Sequence, residues 1–172
     1  MSIKNLPFGE LDAFNVVIEI PQGSQDKYEY DEKLDVIKLD RVFYGSQRMP
    51  GNYGFIPETR AEDGDHSDAL VFSSNPLLPG TIVEARAIGM MDMIDSGEKD
   101  NKIIGVPVKD PRFAHIKTLA DLGEHRLKEI KNFFETYKAL QNKVVQVGEY
   151  KTVEEAHKEL EATRAAYGDE QH

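Results

Sequence analysis

The segment Asp63-Gly-Asp-His-Ser-Asp68 places three carboxylates within six residues. Carboxylates this close repel one another unless positive charge lies among them, and hard oxygen donors so arranged suit Mg2+ or Ca2+. An EF-hand calcium loop is excluded. Asp68 falls where that loop needs glycine, and Ser74 where it needs a bidentate glutamate. Two readings of the segment remain: an acidic surface turn with Asp-Gly punctuation, or a site for divalent cations.

A second acidic group follows in Met93-Ile-Asp-Ser-Gly-Glu-Lys-Asp-Asn-Lys102. Asp95 and Asp100 bracket a Ser-Gly turn between two apolar runs. They form either a solvated hairpin tip or, with Lys102, a charged cluster at the rim of a barrel, where ligand sites gather. The cations raise the same choice. Arg41 has the strand parity of Ile37 and Leu39, which predicts a guanidinium turned to the buried side. Lys27 and Glu29 share one face of Lys27-Tyr-Glu-Tyr30. Inward charges are costly unless paired with charges or ligands, and Arg is the preferred fork for phosphate oxygens. The alternative is a set of edge-strand charges reaching solvent. Tyr137, with Lys138 beside it, lies on a helical apolar stripe, and Tyr53 lies in the turn-rich stretch Pro50–Pro57. Each tyrosine could equally be a packing residue.

The elements that must position these groups change character along the chain. From Asn15 to about Val108 the pattern is short and strand-like: Asn15–Ile20, Asp35–Phe43, Ala69–Phe72, Thr81–Ile88 and Lys102–Val106, separated by turn signals at Pro21-Gln-Gly, Leu78-Pro-Gly and Ser96-Gly97. Such spacing predicts a small barrel or sandwich. After Pro111, Leu127, Ile130, Phe134 and Tyr137 recur at helical spacing and predict a helix from roughly Gly123 to Gln141. Thr152-Val-Glu-Glu155 has the capping-box arrangement and predicts a second helix, with Val153, Ala156, Leu160 and Tyr167 facing inward. The expected fold is therefore mainly β with α: a barrel and two packing helices. Asn142–His172 carry no functional signal beyond that packing helix and a frayed tail.

At 172 residues, 40% hydrophobic and 30% charged, the chain has the profile of one globular domain spanning 1–172. Without cysteine, disulfide and thiolate chemistry are impossible. The first ten residues lack the basic start and apolar run of a secretory signal, and no apolar stretch could span a bilayer. A soluble cytoplasmic location is the expectation. The net charge of −10 disfavours nucleic-acid partners, whose phosphates are bound through Lys and Arg.

In their order along the chain, seven pieces resemble the soluble family I inorganic pyrophosphatases of prokaryotic type: Ile18-Glu-Ile-Pro21, Lys27-Tyr-Glu29, Leu39-Asp-Arg-Val42, Asn52-Tyr-Gly-Phe-Ile56, Asp63-Gly-Asp-x-x-Asp68, Asp95 with Asp100-x-Lys102, and Phe133-Phe-Glu-x-Tyr-Lys138. The resemblance covers Asn15 to Gln141. It implies a five-stranded OB-like closed barrel with the active site in its mouth, and hydrolysis of pyrophosphate to two orthophosphates. It implies several Mg2+ ions, with Mn2+ or Zn2+ as substitutes. Asp63, Asp68 and Asp100 would hold the first metals, with Asp68 bridging two; Asp95 and Glu19 would serve those arriving with substrate. Asp65 would be the general base toward a metal-bridging water, and Glu29 would help shape the site. Lys27, Arg41, Tyr53, Lys102, Tyr137 and Lys138 would bind phosphate.

The chain departs from the family pattern at three places. His66 and Ser67 stand where a proline and an aliphatic residue are usual, and Met49-Pro50 where Tyr-Pro is common, which bears on substrate affinity and metal preference. His66, as a loop histidine, is expected to face solvent. Members of this length are commonly hexamers, so a homo-oligomer is expected, although Asn132 and Thr136 replace histidines often found at a subunit contact. Competing readings are a nucleotide phosphohydrolase, disfavoured because no Gly-x-x-x-x-Gly-Lys-Ser/Thr loop occurs, a non-catalytic OB-type binding module, and a divalent-cation buffer.

Overall fold

The computed structural model describes residues 2–170, so the end of the expected frayed tail, Gln171 and His172, lies outside the described residues. The strands are β1 (Gly9–Glu10), β2 (Ala13–Ile20), β3 (Asp26–Asp31), β4 (Val36–Val42), β5 (Asn52–Ile56), β6 (Ser67–Val71), β7 (Ile82–Asp95), β8 (Glu98–Lys99), β9 (Lys102–Pro107) and β10 (Val145–Lys151). The helices are the one-turn α1 (Leu119–Leu122), α2 (Glu124–Thr136) and α3 (Val153–Glu170).

Five strands close on themselves. β2 pairs with β5, β5 with β6, β9 with β7 and β7 back with β2, all antiparallel, while β6 and β9 run parallel. This ring is the five-stranded OB-like arrangement expected from the resemblance. Side chains alternate across its strands as the period of two requires. Leu70 and Ile104 enter the apolar cluster under α2, where Ile130, Phe133 and Phe134 are buried. Ala69, Val71 and Ile103 enter a second cluster, closed by Ala156 and Leu160 of α3. The predicted cap of α3 is present: Glu155 accepts from the Thr152 N–H at 2.9 Å, and the Glu155 N–H reaches the Thr152 hydroxyl at 3.3 Å.

Four expectations need correction. The turn-rich stretch around Tyr53 is a ring strand, β5, bounded by its prolines. It approaches β2 so closely that a Cβ on Gly54 would lie 2.0 Å from the Val17 carbonyl oxygen, so only glycine fits there. The stretch read as a helix alone begins with β10, which pairs with the far half of β7. The first long helix ends at Thr136 rather than Gln141, with a single 3-10 turn at Ala139–Gln141 beyond it.

The parity count along β4 also fails. Lys27 stands opposite Arg41, but Tyr28 stands opposite Leu39, so Asp40 is an extra, bulged residue. Directly opposed residues share a face. Arg41 therefore joins the face of Lys27 and not that of Leu39, which is 56% exposed on the outer hairpin.

Candidate active site

A cleft of about 430 Å³ opens between the β3–β4 hairpin, the Asp63–Asp68 loop, the β7–β8 turn and the end of α2. All thirteen residues singled out in the sequence line it. Glu19 comes from β2, Lys27 and Glu29 from β3, Arg41 from β4 and Tyr53 from β5. Asp63 and Asp65 come from the loop entering β6, and Asp68 from the start of β6 itself. Asp95, Asp100 and Lys102 come from the β7–β9 connection, and Tyr137 and Lys138 follow α2. The local chemistry places several of them directly. Ser96 and Gly97 both have positive φ (54° and 82°), a two-residue turn that brings Asp95 opposite Glu98 at the rim. Tyr137 is the C-cap of α2, packed edge-on to Phe43 and Phe134, with Lys138 turned into the cleft behind it.

One wall is internally compensated. Lys102 is 2% exposed, and its ammonium donates to Asp68 at 2.6 Å, Asp100 at 2.7 Å and the Tyr53 hydroxyl at 3.0 Å. Burial alone would lower its pKa, yet the two carboxylates outweigh burial and raise it, so the lysine stays charged. Lys138 pairs with Asp95, and this contact overcomes burial to hold the Asp95 carboxyl below its ordinary range. Tyr53 and Tyr137 are both raised, chiefly by burial, and remain neutral phenols able to donate.

The other wall is less compensated, with Lys27 3.7 Å from Glu29. Glu19 is 8% exposed; burial, with the charges of Asp68 and Glu29, pushes its pKa up to about 8, against a hydrogen bond from the Tyr30 N–H at 2.8 Å. Asp65 is raised by burial and by Asp63 and Glu29; on the first wall Asp100 too is raised, by burial and Asp68 despite Lys102. Nine carboxylates in all face four Lys or Arg side chains in this cleft. Glu19, Asp65 and Asp100 resist ionisation, as acids short of positive charge do, and divalent cations of the Mg2+ type fit such a crowd of hard oxygen donors. In the protein alone, no three His, Asp or Glu side chains among the described residues converge closely enough to coordinate an ion. The Lys102 ammonium stands between Asp68 and Asp100 instead.

Sequence reasoning missed part of the lining. Glu98 faces Asp95 across the turn, and Tyr30 and Phe55 stack at 5.3 Å to form a wall. The signal for Tyr30 and Phe55 was their place in the Lys27-Tyr-Glu-Tyr30 and Asn52–Ile56 pieces. His66 does not face solvent as expected. Its side chain is 18% exposed and stacked flat on Phe55 at 5.1 Å. Met49, in place of the common tyrosine, is buried in the apolar cluster under α2 and does not line the cleft.

Among the described residues no helix is long and apolar enough to cross a membrane. The inorganic pyrophosphatase family model matches residues 16–168. The inorganic pyrophosphatase of Geobacillus stearothermophilus is 47% identical over 153 residues, covering 89% of this chain and 93% of that one. That of Malacoplasma penetrans is 55% identical over 145 residues, covering 84% and 80%. The crystal structure of inorganic pyrophosphatase from Thermus thermophilus superposes with a TM-score of 0.94 at 47% identity, covering 98% of this chain and 99% of that one. With the cleft and the five-stranded ring, these likenesses show that the chain belongs to the inorganic pyrophosphatase family and is an enzyme of the inorganic diphosphatase class.

Proposed function

We propose that this cleft hydrolyses inorganic pyrophosphate to two orthophosphates with several Mg2+ ions, Asp65 acting as general base. The observation that carries the reading is the charge imbalance of the cleft in a chain of this family: nine carboxylates and four cations line one cavity. A polyanionic substrate would be rejected by such a cavity on its own. Bound divalent cations supply the missing positive charge and lower the pKa of water. Asp63, Asp68 and Asp100 would hold the resident ions, with Asp95 and Glu19 serving those that accompany substrate.

The remaining steps belong to the protein's own residues. Asp65, its carboxyl raised by burial and by Asp63, has a basicity displaced toward neutrality, which suits a group that must orient a water and take its proton. Lys138, Arg41 and Lys27 would offer N–H donors to phosphate oxygens, and Tyr53 and Tyr137 would add neutral hydroxyl donors. Lys102 would join them once Asp68 and Asp100, which now take its N–H groups, hold cations instead. Their role is positioning and charge neutralisation on the leaving phosphate, not covalent catalysis. Glu29 shapes the field at Asp65 and Glu19. By the same reading the protein is a cytoplasmic homo-oligomer, up to a hexamer, which sedimentation velocity measures directly.

Phosphate release from pyrophosphate across Mg2+, Mn2+, Zn2+ and Ca2+ tests the proposal. Rapid release is expected with Mg2+, weaker release with Mn2+ or Zn2+, and little with Ca2+, whose coordination is looser. Faster release from ATP than from pyrophosphate would favour a nucleotide phosphohydrolase. Metal binding without release would favour a cation buffer.

A further inference from the structure

The loop that carries Asp63 and Asp65 is fastened to the far end of the chain at two points. Arg60 is the first. Its Nε donates to Glu170 Oε2 of α3 at 2.8 Å, its Nη1 to the Gly64 carbonyl at 2.6 Å, and its backbone N–H to the Thr163 carbonyl at 2.8 Å. One side chain thus joins the last turn of α3 to the residue between the two aspartates.

His66 is the second. Its ring lies on Phe55 with a 17° interplanar angle, and Tyr167 of α3 approaches it at 6.1 Å. Nδ1 is 2.8 Å from the Thr59 carbonyl, and Nε2 is 3.4 Å from Glu32. The Arg60 guanidinium covers the other participant, 5.7 Å from the Tyr167 ring centroid, so the two fastenings meet on one aromatic side chain. Asp65 and Ser67 flank His66, and the Ser67 N–H is held by the Thr59 hydroxyl at 2.8 Å. A ring fixed by neighbours in these directions leaves the carboxylates beside it little freedom.

We propose that the C-terminal turn of α3 is a strut for the catalytic loop: Tyr167 and Glu170, acting through His66 and Arg60, set the position of Asp65 and Asp68. The inference rests on the role given to Asp65 above. None of these four touches the reacting atoms in that reading; they are positioning residues. Nor are they core. Glu170 is half exposed, and the other three are neither fully buried nor part of either apolar cluster, so their removal leaves the fold in place.

The test uses the 172-residue chain with saturating Mg2+ and pyrophosphate varied through KM. Tyr167→Ala and Arg60→Met should each speed amide hydrogen exchange in residues 60–68 and lower kcat about tenfold, with KM within about twofold, because a small misplacement of a catalytic group costs rate more than binding. Tyr167→Phe, which keeps the ring, should restore both exchange and kcat. Wild-type exchange and kcat in both disruptive variants would overturn the proposal, as would a Tyr167→Phe variant as impaired as the alanine. If the wild-type chain released no phosphate, the reading of Asp65 would fall, while the exchange data would still judge the strut: unchanged exchange would refute it and faster exchange uphold it.

Discussion

The two walls of the cleft hold similar acids in different electrostatic surroundings. On the β7–β9 side Asp95 meets Lys138, which holds its carboxyl down, and Asp100 meets Lys102, a cation it shares with Asp68 and which does not fully offset its burial. On the side of β2, β3 and the Asp63–Asp68 loop, Glu29 has Lys27 at 3.7 Å, Glu19, Asp63 and Asp65 have no ion pair among the described residues, and Glu19 and Asp65 resist ionisation. On the proposed reading the walls have different tasks: lysines held by carboxylates would be preorganised donors for phosphate oxygens, whereas acids without partners would attract divalent cations. Lys102 belongs to both, since it bridges Asp68 of the acidic loop to Asp100.

The largest effect should come from breaking that bridge. Lys102→Met leaves two part-buried carboxylates without their cation, and removal of one partner of a buried pair costs up to about 3–5 kcal/mol. The metal-free protein should melt well below wild type, and added Mg2+ should recover much of the loss. Turnover should fall on the order of 100-fold, the scale for removing one aimed donor. Calorimetric scans with and without Mg2+ check both parts, and an unchanged metal-free transition would break the comparison.

Glu19 gives a smaller and sign-specific effect. Its folded pKa of about 8 lies above the ordinary 4.5, so the folded state holds this proton more tightly than the unfolded chain does. The carboxyl's contribution to stability is thus fully favourable below about 4.5 and is lost as pH rises toward 8. Glu19→Gln should therefore stabilise the metal-free protein at pH 8, by on the order of a few kcal/mol, with the gain vanishing near pH 4. The same variant should bind Mg2+ more weakly. Denaturant melts across that pH range decide it; a variant less stable at pH 8 would contradict the assignment of a less compensated wall.

Lys138→Met should be the mildest. Asp95 loses the contact that holds its pKa down, so its carboxyl should titrate higher, and affinity for pyrophosphate should drop roughly tenfold for one lost charge-assisted donor. Steady-state KM measures the second effect.

Much of this was legible in the sequence because chemistry and local signals coincide there. The Thr152–Glu155 cap, the stripe of α2 and the Ser96-Gly97 turn are local, and the ordered motif pieces identified thirteen of the residues that line the cleft. What escaped depends on partners distant in the chain. Proline and glycine punctuate β5 so heavily that only its pairing with β2 and β6 makes it a strand. β10 exists because β7 continues to Asp95 and offers it an edge. The bulge at Asp40 leaves no mark on hydrophobic alternation, and the stacking of His66 needs Phe55 and Tyr167.

On the proposed reading the acidic wall loads cations and Asp65 then takes the proton from water. Asp65→Asn separates these roles in one variant: Mg2+ binding by titration calorimetry and phosphate release from pyrophosphate are measured on the same preparation. Retained Mg2+ binding with phosphate release reduced at least 100-fold is the predicted result, within the range for loss of a general base. Phosphate release at the wild-type rate would contradict it.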